Sequence, residues 1–398
     1  RELEFKTGDL YDEEKILESH RYLYSSELFN YVSVNPQYHP ETQSPPDIHI
    51  SLKERKPNYF SLGTGAGQSQ QRDLILNASL EYRNRNLFGT GRKFGLGVIS
   101  SFEVITRQSN FSNEFITSYT EPWLFLVRMP FEIKLSYAPD TKSATQDYVF
   151  DRYSVSFSIT RELARDIELK FTEDFQSINI QNIPSEQEAA FREEKEIKLR
   201  RKFISSLRAD KRDNILVPTK GYLTQITVEY VGGIQGGDIN FVKLGGSWNR
   251  YQVFMGSNVF ASRLQFNWLR EFGDTRVIPI EDRFFMGGAS TMRGYKENDL
   301  GPKNPETGNP SGGKLSILGN FEIRRPLYWR FGGTVFTDVG NLWEKPEDFN
   351  TRDLRLTAGA GLQFFTPIGP IRFDYAFRVI RNGDDPGGQY HISILYIF

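Results

Sequence analysis

Tyr153-Ser154-Val155-Ser156-Phe157-Ser158-Ile159-Thr160 alternates without a break, with apolar side chains on the odd positions and hydroxylated ones on the even positions. Side chains of an extended chain point to opposite faces with a period of two, so the stretch reads as a strand with one greasy face and one polar face. The pattern recurs in 131–137, where Phe131, Ile133, Leu135 and Tyr137 alternate with Glu132, Lys134 and Ser136. It recurs again in 222–230, where Tyr222, Ile226, Val228 and Tyr230 oppose Gln225, Thr227 and Glu229. Two architectures produce such alternation: a soluble sandwich with polar outer faces, and a transmembrane barrel with lipid outside and a wet lumen within. Strand length and number favour the second. About sixteen strands are predicted between Asn58 and Phe398, many of about ten residues or more, against roughly 5–6 in ordinary globular sheets.

The connections support the same choice. Short ones fall near 87–91, 123–127, 163–166, 254–257, 326–330 and 366–370. Longer polar ones fall near 107–113, 139–147, 180–194, 271–313, 342–351 and 381–389. Bacterial barrels have short periplasmic turns and longer outer loops, and an even strand count returns both barrel ends to the periplasm. The chain ends Tyr390-His391-Ile392-Ser393-Ile394-Leu395-Tyr396-Ile397-Phe398, an alternating strand that closes on an aromatic residue.

Composition removes several function classes. Hydrophobic residues make up 38% of the 398, mean hydropathy is -0.49, and no run of about 18 apolar residues exists, so a helical membrane protein is excluded. Aromatic residues at 14%, with 32 Phe and 19 Tyr, suit the aromatic girdles of a barrel. A formal charge of -1 gives no sign of a nucleic-acid partner. The histidines His20, His39, His49 and His391 are scattered, and there is no cysteine, so neither a metal site nor a cofactor is expected. An enzyme would need an acid/base or Ser–His arrangement, but the barrel has only His391 and no Gly-x-Ser-x-Gly motif. The chain opens with Arg1-Glu2, without an initiator Met or a signal-peptide pattern, and reads as a processed or truncated piece.

Residues 1–56 differ from the rest. Asp12 is placed to cap a helix whose first turn holds Glu13 and Glu14, and Ile16, His20 and Leu23 share a face. Phe29 to Val34 reads as a strand, 35–47 as a Pro-rich loop, and Ile48, Ile50 and Leu52 as a second strand. The expected division is a small α+β module over 1–56 and a barrel over 57–398.

Several motifs in order carry a family resemblance. The long connection holds Phe285-Met286-Gly287-Gly288-Ala289-Ser290-Thr291-Met292-Arg293-Gly294-Tyr295. After it come Phe321-Glu322-Ile323-Arg324-Arg325-Pro326-Leu327, Phe336-Thr337-Asp338-Val339-Gly340-Asn341-Leu342-Trp343 and Gly359-Ala360-Gly361-Leu362 with Thr366-Pro367-Ile368-Gly369-Pro370. Earlier stand Arg83-Asn84-Arg85-Asn86-Leu87-Phe88-Gly89-Thr90-Gly91 and Asp210-Lys211-Arg212-Asp213-Asn214 with Pro218-Thr219-Lys220-Gly221. Together they resemble the BamA/TamA superfamily of outer-membrane barrel insertases, in which an Arg-Gly-Phe/Tyr loop tip follows a Gly-Gly. Gly8-Asp9-Leu10-Tyr11 through Phe29-Asn30-Tyr31-Val32 resembles the second half of a POTRA domain, the family's periplasmic module.

The resemblance implies that Arg293 reaches into the lumen and pairs with Glu322, Asp338 or both. A guanidinium fork suits carboxylates, and such charge-assisted bonds contribute on the order of 1.5–3 kcal/mol each. Gly287, Gly288 and Gly294 would let the loop turn tightly beside Tyr295. A second feature is Leu62-Gly63-Thr64-Gly65-Ala66-Gly67, which puts Gly63, Gly65 and Gly67 on one face of the first barrel strand, where they weaken it. That strand must close against the last, which carries Tyr396 and Phe398. A weak closure could open sideways and template an incoming strand. The glycines suit curvature or close backbone approach equally well, and the resemblance favours the seam. It implies an insertase that folds nascent outer-membrane barrels into a bilayer faced with lipopolysaccharide, with accessory lipoproteins or an inner-membrane bridging protein reached through POTRA domains. The alternative is a two-partner-secretion transporter that exports a polypeptide through its lumen. A passive porin would need an open bore, which a tethered loop would restrict.

Overall fold

The computed structural model describes residues 1–398 apart from 39–45, 70–71, 104–110, 126, 143–147, 182–196, 306–307, 368, 381–386 and 395–398. The N-terminal module is a helix and a hairpin: α1 (Glu13–Ser25), β1 (Phe29–Gln37) and β2 (Asp47–Glu54). Oδ1 of Asp12 accepts the N–H groups of Glu14 and Lys15 at 2.9 and 3.4 Å, which satisfies donors the helix itself cannot. Ile16 and Leu23 pack on Val32 and Val34, with Phe5, Phe29 and Ile48 at the margin. Ser19 takes the buried place between them, and His20 is half-buried, 3.2 Å from the Val32 carbonyl. The first strand runs beyond Val34, through Pro36, which lies opposite Ile48. With β2 as its one described partner, β1 is an edge strand, where a residue without an N–H is tolerated.

A sixteen-stranded antiparallel sheet makes up the rest. Its strands are β3 (Asn58–Ser69), β4 (Arg72–Leu87), β5 (Arg92–Glu103), β6 (Phe111–Leu124), β7 (Val127–Lys142), β8 (Val149–Ala164), β9 (Ile167–Gln181) and β10 (Leu199–Asp210). They continue as β11 (Gly221–Val231), β12 (Phe241–Phe254), β13 (Asn258–Glu271), β14 (Leu315–Pro326), β15 (Phe331–Trp343), β16 (Arg355–Thr366), β17 (Gly369–Arg378) and β18 (Gly388–Ile394). Each strand pairs with its sequence neighbour, and the sheet rolls until β18 lies beside β3, with Cα atoms within 8 Å. No paired register joins β3 to β18 among the described residues.

Cross-strand register sorts the side chains into two faces. Phe131, Phe157 and Phe175 form one outer row, and Phe115, Tyr137 and Tyr153 another, with the Tyr137 and Tyr153 rings stacked at 4.5 Å. On the opposite face Lys134, Ser156 and Asp174 are register partners in turn, and Ser154 donates to Oδ1 of Asp174 at 2.6 Å. Greasy outside and polar inside is the arrangement of a barrel whose strands cross a bilayer. No helix among the described residues is long and apolar enough to do so.

Turns at the end of the barrel nearest the N-terminal module are short, except for 211–220 between β10 and β11. A single carboxylate organises that turn. Oδ1 of Asp213 accepts the N–H groups of Asn214, Thr219 and Lys220 at 2.9–3.0 Å, and Oδ2 accepts the Thr219 hydroxyl at 2.5 Å. Burial alone would raise its pKa, but these bonds outweigh burial and hold it below the ordinary carboxylate value. The module itself rests on this rim. Lys93 donates to Glu27 at 2.9 Å, Trp123 Nε1 donates to Glu2 at 2.7 Å, Arg21 pairs with Glu162, and the Arg128 guanidinium lies 4.5 Å from the centre of the Tyr22 ring.

The two faces make opposite predictions at the middle of β8. Val155→Arg, on the lipid side, should cost about 2–4 kcal/mol, and Ser156→Arg, beside Asp174 in the lumen, much less. Urea titration of the barrel in bilayers measures both, and equal losses would overturn the assignment of faces. A depressed carboxylate stabilises the fold above its unfolded pKa of about 4 and loses that contribution as pH falls through the lower folded value. Asp213→Asn should therefore speed amide exchange in 214–220 at pH 7, with the difference from wild type fading as the solution is acidified below pH 4.

Candidate functional site

The chain between β13 and β14 turns back into the bore. Phe284 and Phe285 are adjacent and so point to opposite sides. Phe284 joins Met286, Met292, Tyr295 and Leu300 in a dry cluster against Val231, Phe241, Leu269, Leu318 and Leu342. Phe285 and Ile280 pack the other way, against Tyr148, Phe150, Ile178 and Ile180 of β8, β9 and the residues before them. Each such side chain contributes roughly 1.5–3 kcal/mol on burial. The loop is thus wedged between facing walls, and the wet bore expected from the sequence is filled on the side of β11–β15.

Its tip is the segment predicted from the resemblance. Met286 bridges to Leu300, and Gly288 N–H donates to the Tyr295 carbonyl at 3.1 Å, closing a tight hairpin. Gly287 has φ +113°, and a Cβ there would lie 2.5 Å from the Lys296 carbonyl oxygen, so no larger residue fits. Gly294, at φ +93°, sits against Thr357 and Ala376 of the wall. The Tyr295 ring is buried under the Arg378 guanidinium, 3.9 Å away.

Arg293 is wholly buried. Its Nε and Nη2 donate to the two oxygens of Asp338 at 2.8 and 2.6 Å, and its backbone N–H to the same carboxylate at 3.0 Å. Nη1 donates to Glu322 and lies 3.5 Å from Asp374. The Phe336 ring lies beneath, 3.4 Å from the guanidinium carbon to its centre. Glu322 is on β14 and Asp338 on β15, where Asp338 faces Asn320 in register. Asn320 Nδ2 donates to Asp338 and to the Thr291 carbonyl, both at 2.8 Å, and Arg263 Nη2 donates to the Ser290 carbonyl at 2.8 Å. Arg324 and Arg372 also donate to Glu322, at 2.8 and 3.1 Å, and Arg372 to Asp374 at 2.9 Å. Around the tip, Arg263, Arg293, Arg324, Arg372 and Arg378 thus surround the carboxylates Glu322, Asp338 and Asp374, all buried.

The sequence reading did not find Asp374, Arg372, Arg324 or Arg263. The signal was available: in Ile371-Arg372-Phe373-Asp374-Tyr375-Ala376-Phe377-Arg378 the charged residues share the face opposite four large apolar ones. It also missed a second anchor. Asp282, on a short 3-10 turn (Ile280–Asp282), accepts from Lys202 Nζ at 2.9 Å and pairs with Arg200 at 3.0 Å, both on β10. Lys243 of β12 donates to the Asp282 carbonyl at 2.9 Å. A lone Asp before Arg283 carries no local mark of this role.

Of the predicted seam residues, Gly63 and Gly65 face inward, opposite Ser79 and Asn77 of β4, and Gly67 lies opposite Ile75. A Cβ at Gly63 would meet the Ser79 hydroxyl at 2.5 Å, a contact that turning the serine side chain relieves. Tyr396 and Phe398 lie outside the described residues.

Sixteen membrane-crossing strands, with an outer loop folded into the bore and its arginine buried among wall carboxylates, define a lumen-plugged transmembrane β-barrel protein. The Omp85 superfamily domain matches residues 86–396, and the chain belongs to that superfamily. It is 25% identical over 429 residues to the outer membrane protein assembly factor BamA of Nitratidesulfovibrio vulgaris, covering 100% of this chain and 49% of that protein. The chain spans about half the length of the curated relatives it matches. Among solved structures, BamA from Haemophilus ducreyi lacking POTRA domains 1-3 superposes with TM-score 0.76 at 18% identity, over 98% of this chain and 80% of that one. CdiB from Escherichia coli superposes with TM-score 0.60 at 14% identity, over 97% and 70%. These likenesses extend the shared fold over nearly all of the chain.

Asp282→Ala would leave Arg200 and Lys202 without their shared acid, while Lys243 keeps the backbone carbonyl, and should cost about 3 kcal/mol. The urea midpoint of the folded barrel reads this, and a midpoint equal to wild type would remove the second anchor from the account.

Proposed function

We propose that this chain is the membrane-embedded part of a bacterial outer-membrane assembly factor that templates the folding and insertion of other β-barrels at its seam. The observation that carries the reading is the pairing of two features in one barrel. The bore is plugged by a loop tied to opposite walls, and β3, which β18 lies beside, carries inward-facing glycines at 63 and 65. A strand edge that opens can accept a new strand by β-augmentation, and a plugged bore directs the product sideways into lipid. The inward glycines of β3 lower the strand's own cohesion, and Arg293 with Glu322 and Asp338 acts as the lock of the loop. In this reading residues 1–56 are the end of a POTRA domain in the periplasm. Nascent barrel proteins are the substrate, the lipopolysaccharide-faced bilayer is the medium, and accessory lipoproteins or an inner-membrane bridging protein attach through POTRA domains.

The shared fold with CdiB is also compatible with the alternative reading, a two-partner-secretion transporter. It requires the loop to leave the bore during transport, whereas lateral assembly does not. Depleting the full-length protein in its host separates them. Assembly predicts a loss of folded outer-membrane proteins, general or confined to a few. Transport predicts normal outer-membrane proteins with one secreted protein retained inside, and that result would overturn the proposal.

A further inference from the structure

The peptide groups at Gly294 are gripped by the last two strands. The Gly294 N–H donates to Nε2 of His391 at 3.0 Å, and the Gly294 carbonyl accepts from Arg378 Nε at 2.9 Å. Arg378 ends β17, and His391 stands in the middle of β18, opposite Asp374 in register. His391 is buried, and the tip favours a bare backbone, because Gly294 has φ +93° and a Cβ there would press on Thr357 Cγ2 at 3.1 Å. An imidazole nitrogen that accepts a hydrogen bond carries no proton, so the ring is neutral with its N–H at Nδ1.

This contact is unlike the others that hold the loop. Arg293 is tied to β14, β15 and β17, and Asp282 to β10 and β12, strands with a neighbour on each side. The bond from Gly294 reaches β18, whose paired register among the described residues is with β17. If β18 swings away from the bore, a buried N–H at Gly294 is orphaned, an arrangement disfavoured by about five- to a hundredfold. If the tip withdraws, His391 loses its donor, and the free energy linking the two events is the same in either direction.

We propose that His391 is a latch, a positioning residue that couples the last strand to the loop tip, so that loosening β18 and releasing Arg293–Tyr295 favour each other. Its meaning for function rests on the seam reading above. The latch itself does not.

Amide hydrogen exchange on the full-length protein in phospholipid nanodiscs tests it, with peptides covering 388–394, 292–295 and 278–284. His391→Phe keeps a ring but no acceptor. It should raise exchange in 388–394 and in 292–295 together, about five- to tenfold, and leave 278–284, at the Asp282 anchor, unchanged. His391→Gln offers an oxygen near the place of Nε2 and should restore both segments. Arg293→Ala should raise exchange in 388–394 from the other side. Acceleration confined to one segment in His391→Phe, or a Gln variant no better than Phe, would overturn the latch. Should His391→Phe fail to fold, unchanged exchange of 388–394 in Arg293→Ala overturns it equally. Barrel-assembly rates of the same variants in vesicles separate the two readings. Coupled exchange with unaltered assembly leaves the latch in place and counts against the seam as the working edge.

Discussion

A guanidinium stripped of water inside a barrel is the constraint around which the rest of this molecule is arranged. Arg293 is completely buried, and so are the carboxylates that face it. Desolvating an ion costs several kcal/mol, and the cost is recovered only where geometry is good and the remaining lone pairs and protons are satisfied. Here Asp338 takes the guanidinium in a two-bonded fork, while Glu322 is shared with Arg324 and Arg372. The backbone follows from that demand. The tip must come close enough for the Arg293 N–H to reach Asp338 as well, which forces the tight hairpin at Gly287 and Gly288 and the bare backbone at Gly294. Asn320 then bridges the carboxylate and the loop.

The lock alone would not hold so long a segment. Phe284 and Phe285 send consecutive side chains to opposite walls, and Asp282 binds cations on β10 and β12. The loop therefore behaves as a strut across the bore. Among the described residues its contacts lie on β8 to β18, while the inner wall of β3 to β7 is lined by residues such as Glu81, Glu132 and Lys134, whose register partners are other strand residues. Bracing is thus heaviest on one flank of the seam, and the described part of β18 is tied into that flank through His391. The inward glycines at 63 and 65 fall on the other flank.

Much of this was legible in the chain because a strand's period of two leaves little ambiguity over ten residues. The alternation at 153–160 assigned the faces, and the spacing of turns assigned the strand count. Arg293, Glu322 and Asp338 were reached through the resemblance of their motifs, since no local property distinguishes a buried arginine from a solvated one. Asp374 and Arg372 were within reach, as they alternate with Phe373 and Tyr375 on a face too charged for lipid. Asp282 and His391 were not, because their partners stand 80 and 97 residues away along the chain, and only the closed barrel brings them together. Pro36 misled in the opposite direction: its missing N–H reads as a strand end unless the strand is known to be an edge.

An apolar plug would have filled the same space, so the use of ions in its place calls for a reason. Dispersion and burial change smoothly as surfaces slide, whereas a two-bonded guanidinium has one seat. Displaced by a few ångströms in a dry lumen, Arg293 would strand its own charge and those of Asp338 and Glu322, so intermediate positions are disfavoured more than either end. The apolar cluster around Phe284 supplies attraction without such selectivity. Together they give the loop one defined seat. An element seated in this discrete way can be coupled to the strand it touches, because packed interfaces switch between arrangements and do not deform continuously.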